Sequence, residues 1–223
     1  MRISRRPLLS ITLLALFAFS HSGHSQTAPR RLHAQVVSVN GDEVTLKTRD
    51  GEAVRVKPSA ATRWIEVLPA SIDKVEPGLF VGTTASSQPD GSLVASEVHL
   101  FPESMRGLGE GHRPIEGNSS TSSMTNATVS NVEAVKKRTS SMTNATVAQV
   151  NSNGGAKRLT LKYSGGEKTV LIPPGTPVVL YAPGDRGMLR AGANVFTVAS
   201  VQPDGSLVPA FFMIGRDGLV PPL

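Results

Sequence analysis

The chain contains two copies of one sequence unit, and this duplication constrains its fold more than any other feature. The seven letters QPDGSLV stand at Gln88–Val94 and again at Gln202–Val208, an offset of 114 residues. Five more positions between 78 and 86 match at the same offset, so 12 of the 17 positions from Gly78 to Val94 recur. A repeat of this extent indicates a duplicated domain.

Each copy is typical of short β-strands separated by turns. In the first copy, for example, Val44 and Leu46 alternate with polar neighbours, which puts one face of that strand on a core. The predicted strands of this copy are Leu32–Val39, Glu43–Thr48, Ala53–Lys57, Arg63–Val67, Phe80–Ser86 and Ser92–Phe101. We therefore predict an all-β fold of two tandem small β-barrels, OB- or SH3-like in character. Their predicted bounds are 26–101 and 143–223, with a flexible linker at 102–142.

The repeated phrase itself has the composition of a hairpin turn. Proline presets φ at the second turn position, aspartate tolerates the third, and glycine can adopt a left-handed conformation at the fourth. We interpret it as scaffold, and the less favoured alternative is a ligand site used twice through Asp90 and Ser92. The predicted structural turn residues are Pro89, Asp90, Gly91, Pro203, Asp204 and Gly205.

These motifs carry a resemblance to a known group of proteins. The resemblance is carried by three motifs in order: a "dG" hairpin, then "xxGxxVxxxA", then "xDGSLVA". The chain resembles exported bacterial β-domains of unknown function, which occur alone or in tandem. The resemblance is strongest from Gly78 to Val98, and the second copy departs from it at Pro209, where the first has Ala95. It implies an export context and a small β-barrel, and it implies no catalytic residues.

The first residues are typical of an export signal. A basic start precedes the apolar run Leu8–Phe19, which is shorter than the roughly 20 residues that span a bilayer. Residues 1–25 are therefore predicted to be a signal peptide, and the mature chain is expected to have no transmembrane span. We expect the protein in the periplasm or outside a bacterial cell. The general secretory route is favoured, and the pair Arg5-Arg6 leaves the twin-arginine route open.

The predicted linker contains a second, shorter repeat. The nine letters TSSMTNATV occur at Thr121–Val129 and again at Thr139–Val147, and either copy could supply the first strand of the second barrel. We expect the downstream segment Asn144–Val150 to do so, because a short connection joins it to the next strand. The upstream segment Asn126–Val132 is then expected to be mobile or to add at an edge. A vacated place could accept a strand from a neighbouring chain and give a strand-exchanged homodimer.

Few side chains are candidates for chemistry. Glu97 and His99 lie two positions apart on a predicted strand and therefore share a face, and with His112 they are weak candidates for a metal site. The second copy has Phe211 and Met213 at the matching positions, so a solvated strand face is the favoured interpretation. Cysteine is absent, which excludes thiolate sites and disulfides. We predict no metal, no other cofactor, no catalytic residue and no enzyme activity.

The charge balance argues against a nucleic-acid partner. The net charge of +6 falls to +3 without the three arginines of the signal peptide, and Trp64 beside Arg63 is a weak sign of base stacking. The favoured function is an exported, non-enzymatic β-domain protein that acts as a binding or envelope-structural module. The alternative is a periplasmic accessory protein of a transport system that binds a metal or a small ligand. The expected partner is an unidentified envelope protein or small ligand.

Overall fold

The computed structural model describes residues 28–115, 122–134 and 155–222, and in these ranges the chain is all β apart from four short 3-10 turns. No helix in these ranges is long and apolar enough to cross a membrane. The predicted signal peptide at 1–25 lies outside them. The strands are β1 (Arg30–Asn40), β2 (Glu43–Thr48), β3 (Ala53–Val56), β4 (Arg63–Pro69), β5 (Phe80–Ser87), β6 (Leu93–Leu100), β7 (Gly111–Pro114), β8 (Ser122–Ala134), β9 (Lys157–Tyr163), β10 (Gly166–Ile172), β11 (Val178–Pro183), β12 (Asn194–Val201) and β13 (Leu207–Gly215).

The strands predicted for the first copy are all present as β1 to β6. Their hairpins are encoded locally: Gly41 has a φ of 55° in the two-residue turn that joins β1 to β2. Val44, Leu46 and Val56 have no exposed surface, as the alternation of polar and apolar residues predicts. The prediction of an all-β fold with a small barrel is therefore confirmed.

One barrel, here called the first barrel, combines strands from both ends of the chain. β1 pairs with β2 and β2 with β3, and the ring is closed by β12 and β13 through the pairs β1–β12, β12–β13 and β13–β3. Its core includes the buried side chains of Leu32, Leu46, Val195 and Phe212.

The second barrel is built in the same way from the remaining copies of these strands. β8 pairs with β9 and β9 with β10, and β5 and β6 close the ring through the pairs β5–β8, β5–β6 and β6–β10. Val81, Val98, Val129 and Leu161 lie in its core. Each barrel therefore takes three strands from one copy and two from the other.

The two barrels meet at the antiparallel pair β4–β11. The register places Val67 opposite Tyr181, and these residues are 114 apart, which is the offset of the sequence repeat. β4 also runs parallel to β13, and β11 runs parallel to β6, so both strands are bonded to a barrel on their other side. An approximate two-fold axis thus passes between Val67 and Tyr181 and relates the two copies.

The predicted division into tandem barrels at 26–101 and 143–223 differs from this arrangement. Strands β5 and β6 leave the barrel that contains β1 to β3 and complete the other one, and β12 and β13 do the reverse. The reason is that the two copies have matching strands, so β12 fits beside β1 as well as β5 would. Sequence similarity between the copies therefore did not show which strands pair.

The range 102–142, predicted as a linker, contains β7 and β8. β8 contains Ser122–Val129 of the upstream copy of the nine-letter repeat, and it pairs with β5 on one side and β9 on the other, burying Ala127 and Val129. The expectation that Asn144–Val150 would be the first strand of this unit is wrong, and that segment lies outside the described residues. The upstream copy also pairs with β7, and the longer connection to β9 costs little because closure entropy grows slowly with loop length.

Candidate functional site

The junction of the two barrels has its own apolar cluster. Directly opposite residues of an antiparallel pair share a face, so alternate residues of β4 and β11 point to the same side of the junction. Residues from β12 and β13 pack on that side. The buried members of the cluster are Ile65, Val67, Val179, Tyr181, Phe196 and Met213.

A cavity of about 580 Å³ opens beside this cluster, between the barrels. This volume lies within the range of small-molecule sites, roughly 300–1,000 Å³. The second barrel contributes His99 from β6 and Asn126 from β8, and the first contributes Phe196 from β12. The exposed side chains of Arg31, Arg63 and Arg113 complete the lining at its mouth.

The two walls of the cavity occupy equivalent positions in the two copies but differ in chemistry. The wall from the second barrel contains the polar side chains of His99 and Asn126 and is here called the polar wall, whereas the lining residues of β12 and β13 in the first barrel are aromatic or apolar. Positions related by the offset of 114 are Gly82 and Phe196, Glu97 and Phe211, and His99 and Met213. The two copies therefore frame the site from both sides, and their residues differ at the matched positions that line it.

The polar wall is compact because Gly82 has no side chain. Gly82 of β5 lies opposite His99 on one side and opposite Asn126 on the other. A Cβ atom at this position would lie 2.6 Å from Asn126 Oδ1, 3.1 Å from a ring carbon of Phe101 and 3.2 Å from His99 Nδ1. The glycine thus lets side chains from both neighbouring strands close over β5.

Buried His99 and half-buried Glu97 form a pair behind the cavity. Glu97 Oε1 lies 3.2 Å from His99 Nε2, an ion-pair distance, and it accepts a hydrogen bond of 2.7 Å from the Thr84 hydroxyl. Burial, the largest single influence, acts to raise the pKa of Glu97, but the contact with His99 and the bond from Thr84 together hold it below the ordinary value. Glu97 is therefore a fixed negative charge.

Two buried polar atoms beside the cavity have no hydrogen-bond partner among the described residues: Tyr181 Oη and Asn126 Oδ1. Their residues are 2% and 5% exposed, respectively. Burial, and secondarily the charge of Glu97, raises the pKa of Tyr181 well above its usual value, so the phenol is neutral and can donate. A buried polar group without a partner costs about 1–3 kcal/mol, which a ligand offering the matching group would recover.

Of the weak metal candidates, the structure brings Glu97 and His99 together and leaves His112 apart. His112 lies opposite Thr125 and contacts its hydroxyl at 2.8 Å, whereas the next residue on β8, Asn126, faces the cavity. Successive strand residues point to opposite faces, so the sheet separates His112 from the pair. No group of three or more potential ligands occurs in the described ranges.

The two copies of the repeated phrase lie in hairpin turns, one between β5 and β6 and the other between β12 and β13. Gly91 and Gly205 both have a φ of 80°. The Asp90 carboxylate accepts a bond of 2.9 Å from the backbone of Ser92, and Asp204 does the same for Ser206. Both carboxylates are therefore engaged by their own turns.

Sequence reasoning missed Tyr181, Asn126 and the arginines as a site, because they come together only through the pairing of the two copies. One signal was present: the second copy replaces Glu97 and His99 by large apolar residues, which marks a position where the copies have diverged. No protein-family model matches the chain, and neither a curated protein nor a solved structure matches it.

Proposed function

We propose that this protein is an exported, non-enzymatic binding protein that holds a small molecule in the cavity between its two barrels. The observation that carries the proposal is the pair of unpartnered polar atoms on Tyr181 and Asn126, each buried by more than nine-tenths beside a cavity of ligand size. Polar atoms of this kind are expected where a ligand supplies the missing hydrogen bonds.

The electrostatics of the site favour binding over catalysis. A general acid or base works best when its pKa lies near the working pH. The pKa of Glu97 is displaced downward and that of Tyr181 upward, so the first is a weak base and the second a weak acid. Both groups are suited to fixed hydrogen bonds.

The export part of the proposal is supported by the sequence of residues 1–25. A mature chain beginning between His21 and Thr27 is expected, because the apolar run ends at Phe19 and small residues follow. Intact-mass measurement of the protein from the envelope fraction checks this. A chain that still begins at Met1 there would contradict it.

The binding proposal is tested by what the purified protein carries. Organic extraction of the protein isolated from its own cells, followed by mass spectrometry, should release a small molecule in stoichiometric amount. Val198→Trp fills the cavity and should lose that molecule, whereas Thr45→Trp, at a half-buried strand position away from the cavity, should retain it. Melting curves establish that both variants are folded. An envelope-structural role is favoured instead if the parent protein and both variants yield the same extract.

A further inference from the structure

We infer that the ligand of this cavity is an amphipathic organic acid, bound with its carboxylate at the arginine-lined mouth and its apolar body against the aromatic wall. This inference rests on the proposed binding function and names the class of ligand. The residues that carry it are Arg31, Arg63 and Arg113 at the mouth, and Phe196, Tyr181 and Met213 inside.

The charge at the mouth is not balanced by the protein. The cavity lining contains three arginines and no acidic residue. None of the three guanidinium groups has an ion-pair partner within the described ranges: Arg31 lies 5.3 Å from the centre of the Phe196 ring, and Arg113 donates a bond of 2.7 Å to the carbonyl of Gly109. Because a guanidinium has five N–H donors in a fork that matches a carboxylate, most of this donor capacity is available.

The interior fits an apolar body. Phe196 is 1% and Met213 8% exposed, and the ring of Phe211 lies 6.0 Å from that of Phe196. Tyr181 stacks on His99 with ring centres 5.2 Å apart and closes the opposite side. Burial of a ligand's hydrocarbon against these groups contributes in proportion to the area removed from water.

The fixed charges orient the ligand. Ionised Glu97 lies behind the polar wall, and its charge adds to burial, the larger influence, in raising the pKa of the Tyr181 hydroxyl. An acid group at this depth would be repelled, whereas at the mouth it meets the guanidinium groups. The inner end of the ligand can instead carry a neutral hydroxyl, which accepts a hydrogen bond from Tyr181 Oη.

Calorimetric titration of the full mature protein with matched ten-carbon probes tests this arrangement. Decanoate should bind about ten-fold more tightly than decanol, which is the effect of one charge-assisted hydrogen bond, and decylamine should bind least. Added salt should lower the affinity for decanoate and leave the affinity for decanol unchanged, because salt screens the contribution of exposed charges.

Two pairs of variants separate the possible outcomes. Arg63→Gln should reduce the affinity for decanoate to that for decanol. Arg55 is an exposed arginine on β3 outside the cavity, so Arg55→Gln should leave both affinities unchanged. Tyr181→Phe should remove the tighter binding of ω-hydroxydecanoate relative to decanoate and leave the affinity for decanoate unchanged. A merely structural role of the hydroxyl would not give this selective loss. Equal binding of decanoate and decanol, both lost in Val198→Trp, overturns the ligand class and leaves the binding function intact. Failure of every probe, together with an empty extract, overturns both.

Discussion

At the scale of single residues, the polar wall of the cavity depends on one missing side chain and one half-buried carboxylate. Gly82 keeps a space that His99 and Asn126 fill from neighbouring strands, and Glu97 is fixed between His99 and Thr84. Neither role follows from the residue type alone. A glycine inside a strand suggests a close approach, but the approaching groups come from strands whose pairing the sequence does not reveal.

Gly82→Ala should destabilise the protein by about 1–3 kcal/mol, because the added Cβ would overlap Asn126 Oδ1 and crowd His99. Urea denaturation measures the change in the free energy of unfolding. Gly155→Ala is the matched control, since a Cβ there has no neighbour within 4 Å and the backbone is not in the left-handed region. Equal stability of the two variants would show that the polar wall is not closely packed.

Glu97→Gln should change the dependence of stability on pH. The pKa of Glu97 in the folded protein lies below the ordinary value of 4.5, so its ionised form contributes stability above that pH and loses it as the pH falls through the folded value. At neutral pH the variant should be less stable by about 1–3 kcal/mol, and the difference should shrink below about pH 4.5. Urea denaturation across this range gives the comparison. Glu76→Gln, at an exposed position, should track the parent protein at every pH.

At the scale of strands and turns, local chemistry was predictable and partner choice was not. The positions of β1 to β6 follow from alternation and from turn letters such as Gln88-Pro89-Asp90-Gly91, which act over a few residues. The placement of β8 depends on competition between two segments with the same nine letters, and composition made the winning one resemble a linker. The pairing of β8 with β5, β7 and β9 determines which segment forms the strand. These contacts join residues that are distant in sequence.

The exact repeat offers a direct test of which segment is used. Val129 of β8 is 1% exposed in the core of the second barrel, so Val129→Asp should cost at least about 3 kcal/mol through an unpaired buried charge. Val147→Asp makes the same change in the downstream copy, which lies outside the described residues, and should cost much less. Thermal melting of both variants gives the answer. A larger loss in Val147→Asp would assign the strand to the downstream copy.

At the scale of the whole molecule, the two barrels are connected by more than a tether. Each contains strands from both halves of the chain, and β4 and β11 bond to each other and to β13 and β6. The sequence predicted the strand content and a small barrel, because these depend on each copy separately. It did not predict the exchange of strands or the cavity, which depend on how the copies pair.

Engineered disulfides should distinguish exchanged from unexchanged strands, and the chain has no cysteine of its own to interfere. Gln35 on β1 lies opposite Asn194 on β12, a placement suited to a bridge when both become cysteine. Thr45 and Arg55, opposite each other on the β2–β3 hairpin, give a positive control that forms in either arrangement. Non-reducing gels and intact mass should show both bridges within monomers. A control bridge without the Gln35–Asn194 bridge would exclude the exchange, and that bridge appearing in dimers would place it between chains.

The approximate two-fold axis between Val67 and Tyr181 also bears on the history of the chain. A single-copy ancestor with this geometry would have been a homodimer whose subunits shared strands, and fusion of its genes would have made the present protein. In a homodimer every substitution appears on both sides of the axis, so both walls of the cavity would have been the same. Fusion would have removed that constraint, so that Gly82 in one copy and Phe196 at the same place in the other could coexist, and a symmetric cleft could become a pocket with two different ends.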